Sequence, residues 1–391
     1  MFKLPKVLVT DAQMRSSLAI IRSLGKAGLE VTAGEETRIA TGMFSKYCKH
    51  TLVYLTPKNE GAFISSILEH IKANDYKVIF PATDLTVVPL VKRKKEFSKY
   101  TIVPYPSYEK LQKAMDKAQT LKLAMEYQVP FPKTFFVDTI NDIEKIKNDV
   151  PYPAIIKPCT SYGSRGVTLC QSPEELSTKY EKIFAEYGPS MVQEYIPNGG
   201  ELGVYALFNF DSEPRAVSVQ RRIRTYPISG GPSTYRESIK NPEIIEIAFR
   251  LLKALKWTGI AMVEFRIDSR DHTPKLMEVN PRFWGSLNLS ILSGVDFPYL
   301  LYKLYTEGDI KPVMDYKAGV KCRWVLPGDI LWYLSSPNKI KNLPQFLEIT
   351  NDDIMSFSDP GPTLGFILAS MRYMFDLNMW KFILRKPIEN R

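Results

Sequence analysis

Ala261-Met-Val-Glu-Phe-Arg-Ile-Asp268, followed by Lys275-Leu-Met-Glu-Val-Asn-Pro-Arg-Phe-Trp-Gly-Ser286, decides how this chain is read. Side chains of a strand alternate between faces, so Glu278, Asn280 and Arg282 project to one side. If the two segments pair antiparallel around the polar turn Ser269 to Thr273, with Arg270 to His272 at the tip, Glu264 stands across from Glu278 and Asn280 shares that face. Two acids and an amide then converge. Hard oxygen ligands of this kind suit magnesium, which keeps part of its shell for water and substrate phosphates. An ordinary half-buried hairpin with a wet polar face accounts for the two acids equally well.

Two upstream segments bear on that choice. Pro153-Ala-Ile-Ile-Lys-Pro-Cys-Thr-Ser-Tyr-Gly-Ser-Arg-Gly-Val167 is an apolar strand ending in Lys157, then a loop rich in glycine and hydroxyls. Gly163 and Gly166 let backbone N–H groups approach phosphate oxygens, and Ser161, Ser164 and Arg165 add donors. It is not the Walker pattern, and a glycine loop alone is most often a turn. Met191-Val-Gln-Glu-Tyr-Ile-Pro-Asn-Gly-Gly-Glu-Leu-Gly-Val-Tyr205 reads as a short strand, a turn at Pro197 to Gly200 and another strand, framed by Glu194 and Glu201. Upstream of both, Asp116-Lys117 opens a helical stretch that runs to Tyr127.

This order of parts resembles the ATP-grasp superfamily of ATP-dependent carboxylate–amine ligases, with carbamoyl-phosphate synthase large subunit and biotin carboxylase among its relatives. The resemblance covers about residues 1 to 300. It implies that Lys117 and Lys157 contact the nucleotide phosphates under a cover of Ser161, Gly163, Ser164 and Gly166. Glu194, Tyr195 and Ile196 match the linker that hydrogen-bonds adenine, and Glu201 sits where the family has a ribose-binding acid. Glu264, Glu278 and Asn280 match the magnesium ligands. Arg282 matches the arginine that, with Lys157, steadies the transferring phosphoryl group. The implied cofactors are ATP and magnesium, with manganese as a substitute. The implied reaction joins a small-molecule carboxylate to an amine through an acyl phosphate, releasing ADP and phosphate. Two other functions share the nucleotide site: a carboxylase using bicarbonate, and a non-catalytic ATP-binding, membrane-associated scaffold. The complete set of acids and lysines speaks against the scaffold, which needs no full metal site.

At 391 residues the chain exceeds the size at which single cores stop growing, so two or three domains are expected. The expected fold is α/β and α+β: a Rossmann-like domain over 1–112, a two-lobed ATP-grasp domain over 113–310, and a small helical or mixed region over 311–391. Val7 to Thr10 reads as a strand, Asp11 to Ser16 as a loop, Ser17 to Ala27 as a helix before Gly28, and Leu29 to Ala33 as a second strand. The loop lacks the Gly-x-Gly-x-x-Gly of a dinucleotide site, so an NAD function fails. Val78 to Phe80 is a further strand, and Asp84 beyond it either touches substrate or caps a helix. Pro104-Tyr-Pro106 precedes the boundary near 112.

The net charge of +10 raises nucleic-acid binding as a rival. The basic residues are dispersed, Lys92-Arg-Lys-Lys95 reads as a solvated helix end, and no aromatics alternate with it as base-stacking requires. Nucleic acid is therefore not an expected partner; nucleotide plus an anionic carboxylate is. Four cysteines without paired metal spacing suggest a reducing cytoplasm, and Cys159 beside the loop is either filler or a reactive thiol. Three scattered histidines leave the chemistry to carboxylates, lysines and arginines. No secretory signal precedes the first strand, and no segment reaches the ~20 apolar residues that span a bilayer.

Two segments keep alternative readings. In Val217 to Ser238, Arg221, Arg222 and Arg224 can fork onto carboxylate or phosphate, and the turn Gly230-Gly231-Pro232-Ser233 resembles a substrate-side loop of some ATP-grasp proteins. Either this segment selects substrate, or its arginines are surface charges on an edge strand. The apolar stretch Thr363 to Leu384, with Arg372, Lys381, Arg385 and Lys386, either lies peripherally on a membrane or packs against the ligase body or a second subunit of a homodimer.

Overall fold

Apolar strands separated by amphipathic helices build the first layer. The computed structural model describes residues 4–160, 165–228 and 230–373. In it β1 (Lys6–Val9), β2 (Glu30–Glu35), β3 (Cys48–Val53) and β4 (Tyr76–Phe80) form a parallel sheet in the order β3-β2-β1-β4. Val7, Leu8, Val9, Val78, Ile79 and Phe80 are fully buried, as strands covered on both faces should be. The helix Arg15–Lys26 ends before Gly28, whose φ of 87° a side chain would resist. At the carboxyl end of β1, Asp11 fills the position a glycine turn would leave open. Its carboxylate accepts from Thr10 Oγ1 at 2.7 Å, from the Ala82 and Thr83 N–H groups at 3.1 Å each, and from Thr86 Oγ1 at 2.5 Å. That carboxylate ties the end of β1 to the segment after β4, and the turn around it has no glycines, so the sheet carries the βαβ topology without the dinucleotide turn.

The second sheet is antiparallel and small. Its strands β5 (Thr134–Val137), β6 (Ala154–Pro158), β7 (Thr168–Cys170) and β8 (Ser190–Glu194) run in the order β5-β8-β6-β7. The helix Pro173–Tyr187, capped by Ser172, lays Leu176 and Tyr180 against it. This lobe has its own apolar core, separate from the one that runs through the rest of the chain.

The third sheet carries the site. β9 (Asn198–Phe208), β10 (Pro214–Thr225), β11 (Ser233–Ile239), β12 (Gly259–Asp268), β13 (Pro274–Asn280), β14 (Lys321–Arg323) and β15 (Asn351–Asp352) run in the order β13-β12-β9-β10-β11-β14-β15. One face is apolar: Val204, Ala206 and Phe208 are fully buried there, and the Phe208 ring meets Phe249 of the helix Pro242–Ala254 edge-on at 5.3 Å. The other face, offset by one residue on each strand, holds the polar side chains.

Two open readings meet the large sheet. The strand bearing Arg221, Arg222 and Arg224 is β10, flanked by β9 and β11, so it is not an edge. The stretch after 310 is in part woven into the large sheet, through β14 against β11 and β15 against β14. The helix Gly361–Tyr373 packs on the turn Thr41–Phe44; a Cβ on Gly365 would come within 2.6 Å of the Phe44 ring. The described part of the apolar C-terminal stretch therefore lies against the body, and residues 374–384 fall outside the described residues. Among the described residues no helix is long and apolar enough to cross a membrane.

Candidate active site

The hairpin forms in the expected register. Glu264 pairs with Glu278 and Met262 with Asn280, and the turn closes at His272 with φ 59°. Between Leu276 and Glu278 the register slips by one residue, so Met277 is a bulge. Leu276 and Val279, three apart, are both buried, and the slip lets them be so while Glu278 and Asn280 remain together on the polar face. β13 is the outermost strand. Its outward Met277 carbonyl accepts from Lys157 Nζ at 2.6 Å, which joins the small lobe to the hairpin.

Cations and donors surround the two acids. Asn280 Nδ2 donates to Glu264 Oε2 at 3.2 Å and Glu278 Oε1 at 2.9 Å, and Lys117 Nζ lies 3.8 Å from Glu278 Oε2. Lys117 begins the helix Lys117–Glu126, whose N-cap is Asp116. Arg282 donates to Asn280 Oδ1 at 3.3 Å and, through Nε, to Asp84 Oδ2 at 2.9 Å. Asp84 is thus an ion-pair partner from the first sheet's end, and the N-cap is Thr83. Burial alone would raise the Glu278 pKa; Lys117, Lys157, the Asn280 amide and Arg282 overcome it and hold the carboxyl below its ordinary value. Burial pushes Lys157 down to about 8, with Glu278 opposing and Lys117 and Arg266 adding to the shift.

These residues fit a divalent cation. Among the described residues no three His, Cys, Asp or Glu side chains cluster with metal-binding geometry; the oxygen donors that face one another here are two acids and one amide. That is the incomplete oxygen set magnesium takes when phosphate and water complete its shell. A cation between the acids would do what the Asn280 amide protons now do, and the amide turned over would present its oxygen.

A charged row crosses the same face. Arg266 of β12, Glu201 of β9 and Arg222 of β10 stand side by side, with Glu201 Oε1 accepting from Arg266 at 2.8 Å and Oε2 from Arg222 at 2.7 Å. Arg222 also pairs with Glu264 and donates to the Gly231 carbonyl at 3.2 Å. The three arginines of β10 part company. Arg221 points to the opposite face and pairs with Glu237 at 2.5 Å. Arg224 is buried between the rings of Tyr235 and Trp332, 3.1 Å from Asp329. Of the three, only Arg222 reaches the acids. In the turn, Gly230 has φ 134°, and a Cβ on Gly231 would strike the Tyr226 carbonyl. Ser233 Oγ donates to the Tyr235 carbonyl at 3.1 Å.

At the linker, the Glu194 N–H donates to the Lys133 carbonyl at 2.9 Å and the Tyr195 N–H to that of Pro153 at 3.0 Å, while Ile196 is buried. Gly166 has φ 72° and backs onto Pro158 and Tyr187. Ser161, Gly163 and Ser164 fall outside the described residues. The Cys159 thiol is pushed by burial up to about 11, which keeps it protonated. His50 pairs with Glu30 and His70 with the Tyr76 hydroxyl, both remote from the acids. Sequence reading did not single out Arg266 and Asp84 as partners of site residues. Arg266 was within reach of strand alternation, two residues after Glu264; the Asp84–Arg282 pair, 198 residues apart, left no local signal.

Two family models match the chain. One, ATP-grasp in the biosynthetic pathway with Ter operon, matches residues 186–326; the other, the carbamoyl-phosphate synthase L chain ATP-binding domain, matches residues 116–196. The D-aspartate ligase of Enterococcus faecium is 26% identical over 250 residues, which are 58% of this chain and 57% of that protein. The chain thus spans less than two thirds of this relative's length. Among solved structures, a Campylobacter jejuni biotin carboxylase–β,γ-ATP complex gives a TM-score of 0.68 at 16% identity over 82% of this chain and 74% of the other. The L-amino acid ligase from Bacillus licheniformis gives 0.61 at 17% identity over 80% and 79%. At such identities these likenesses concern the fold.

Proposed function

We propose, for a chain whose residues 116–326 belong to the ATP-grasp superfamily, that it is an ATP-dependent carboxylate–amine ligase. The observation that carries this reading is the pairing of Glu264 with Glu278 while Lys117 and Lys157 converge on Glu278. Two acids that would repel each other are held together beside two buried ammonium groups, an arrangement suited to a metal-bound triphosphate and of little use to a hairpin serving only packing. In this reading the site lies in an ATP-grasp domain over 113–310, a first domain over 1–112 reaches it through Asp84, and a further region runs from 311.

Glu264, Glu278 and Asn280 would hold magnesium, which supplies positive charge to the phosphate oxygens. The Glu194 carbonyl and Ile196 N–H would meet adenine's edge, since the N–H groups of Glu194 and Tyr195 are bonded within the lobe. Glu201 would reach the ribose only by loosening its hold on Arg222 or Arg266. A substrate carboxylate oxygen attacks the γ-phosphorus and ADP leaves; an amine then attacks the acyl carbon and phosphate departs. Lys117, Lys157 and Arg282 balance the charge on the transferring group. By analogy with the relative's name, D-aspartate is the first acid to try. Phosphate release is expected with D-aspartate plus an amine pool and an amide product by mass analysis; release driven by bicarbonate without amine would favour the carboxylase instead.

The Lys157 shift sets a pH dependence. Above about 8 the nucleotide-free chain gives up this ammonium, so binding a phosphate must then recover a proton. MgATP affinity is expected to fall by up to about tenfold per pH unit above that point, with proton uptake visible as buffer-dependent heat in calorimetry. Constant affinity from about pH 7 to about pH 9.5 would contradict the assignment. Stability has the opposite slope. From about 8 up to the ordinary lysine value of 10.5 the unfolded state binds more protons than the folded one, so stability rises with pH there.

Arg222 now pairs with Glu264, so an arriving cation has to displace a guanidinium. In Arg222→Gln, Mn2+ is expected to bind the nucleotide-free chain about tenfold more tightly, or about 1.4 kcal/mol, read by electron paramagnetic resonance. Weaker binding would mean that Glu264 is not a ligand.

A further inference from the structure

Asp84 reaches the site from the end of the first sheet. Its Oδ2 accepts from Arg282 Nε at 2.9 Å, and Arg282 Nη2 donates to Asn280 Oδ1 at 3.3 Å, so the carboxylate stands one guanidinium away from the proposed cation site. An acid at this point works against the arginine's part in the ligase reading, because it neutralises a charge that the transferring phosphoryl group needs.

On its other side Asp84 faces open space. A cavity of about 190 Å³ lies between Leu85, Val88 and Met115, with the carboxylates of Asp84 and Glu60 in its lining and no cationic side chain among its described walls. Glu60 is held at 3.0 Å by Lys92, and both are substantially exposed, so this acid marks the outer end. Met115 ends the helix Tyr108–Met115, two residues before Lys117. The cavity therefore abuts the site twice, at Arg282 through Asp84 and at Lys117 through Met115.

Apolar walls with two carboxylates suit a cation that carries some hydrocarbon. The ligase reaction supplies one. A primary amine titrates near the lysine value of about 10.4, so it arrives near neutral pH as ammonium and needs an acid close to the reacting carbon. The neighbouring carboxylates are already engaged. Glu264 and Glu278 belong to the proposed cation, Glu201 holds Arg222 and Arg266, and Asp11 accepts from Thr10, Thr86 and the N–H groups of Ala82 and Thr83. Asp84 has a single ion-pair partner, and that partner has a second task.

We propose that Asp84, with the cavity beside it, receives the ammonium group of the amine substrate, and that it is freed for this when Arg282 turns to the phosphate. The two events are coupled through the shared guanidinium. A phosphate that draws Arg282 away leaves the Asp84 carboxylate without its partner, and an ammonium then replaces what was lost. The amine thus binds best after the acyl phosphate has formed. The inference rests on the ligase reading and gives its second substrate a place.

The test uses the full chain with MgADP, n-butylammonium as the probe and n-butanol as its uncharged counterpart, read by ligand-observed NMR. With inorganic phosphate present, butylammonium is expected to bind about tenfold more tightly than butanol, as a charge-assisted hydrogen bond allows. Phosphate itself is expected to tighten butylammonium about fivefold. Asp84→Asn is expected to erase both differences. Leu85→Trp, at a 43% exposed position on the cavity wall, is expected to weaken butylammonium about fivefold by filling the space, and serves if the first variant does not fold. MgADP binding with no preference for butylammonium, an affinity indifferent to phosphate, or a preference that survives the substitutions would leave Asp84 as a holder of Arg282 and overturns the subsite alone. Failure of the unsubstituted chain to bind MgADP overturns the ligase reading and the subsite with it.

Discussion

Glu278→Ala is expected to lower ATP-dependent phosphate release by about 10³-fold or more while leaving the folded chain intact. Lys117 and Lys157 both act on Glu278, which faces Glu264 across the hairpin. In the proposed site its removal takes away a metal ligand. It also removes the attraction that now opposes burial at Lys157, so the pKa of that ammonium, already pushed down to about 8, is expected to fall further. Both losses would weaken the proposed phosphate contacts. The fold is spared because the side chain is half-buried and its neighbours Leu276 and Val279, not Glu278 itself, supply the strand's apolar contacts. Coupled ADP-release kinetics alongside circular dichroism reads both outcomes. Turnover within tenfold of the unsubstituted chain would remove Glu278 from the site.

Arg22→Ala is expected to cost about 3–5 kcal/mol of stability, the range for stripping one partner from a buried ion pair. Arg22 is 8% exposed, and its guanidinium makes four hydrogen bonds. It donates to Asp359 Oδ2 at 2.9 Å and to the carbonyls of Asp353, Ile354 and Asp359 at 3.0, 2.8 and 3.2 Å. Asp359 in turn accepts from Ser45 Oγ at 2.7 Å and the Lys46 N–H at 2.8 Å. Burial would raise the Asp359 pKa; Arg22 and these donors hold it below the ordinary value, so the carboxyl stays charged and would be stranded without Arg22. Urea denaturation measures the loss. In Arg22→Ala with Asp359→Asn the penalty should shrink, because no buried charge is left alone. A midpoint unchanged in Arg22→Ala would mean that residues 353–359 are not anchored through this arginine.

The two outcomes mark what local sequence can and cannot express. The hairpin was legible because strand alternation and a polar turn are local, and together they set Glu264 opposite Glu278. The start of the helix at Lys117 was legible for the same reason, through its Asp116 cap. Strand irregularities were not. The Met277 bulge, and the register shifts on β10 after Arg222 and Arg224, decide which side chains reach the acids, and neither leaves a mark in composition. Three arginines that look equivalent in sequence therefore have three fates. β14 and β15, three and two residues long, are too short to show a period, so their place in the large sheet was invisible. The ion pairs Arg282–Asp84, Arg22–Asp359 and Arg236–Asp353 join residues more than a hundred positions apart, and no pattern within a window of sequence connects them.

The most direct test of the whole account is the anomalous signal of manganese in crystals of the full chain grown with a non-hydrolysable ATP analogue. The account predicts a peak bounded by oxygens of Glu264, Glu278 and Asn280, with the terminal phosphates beside it against Lys117 and Lys157. A peak elsewhere, or a nucleotide bound with its phosphates away from these lysines, would contradict it.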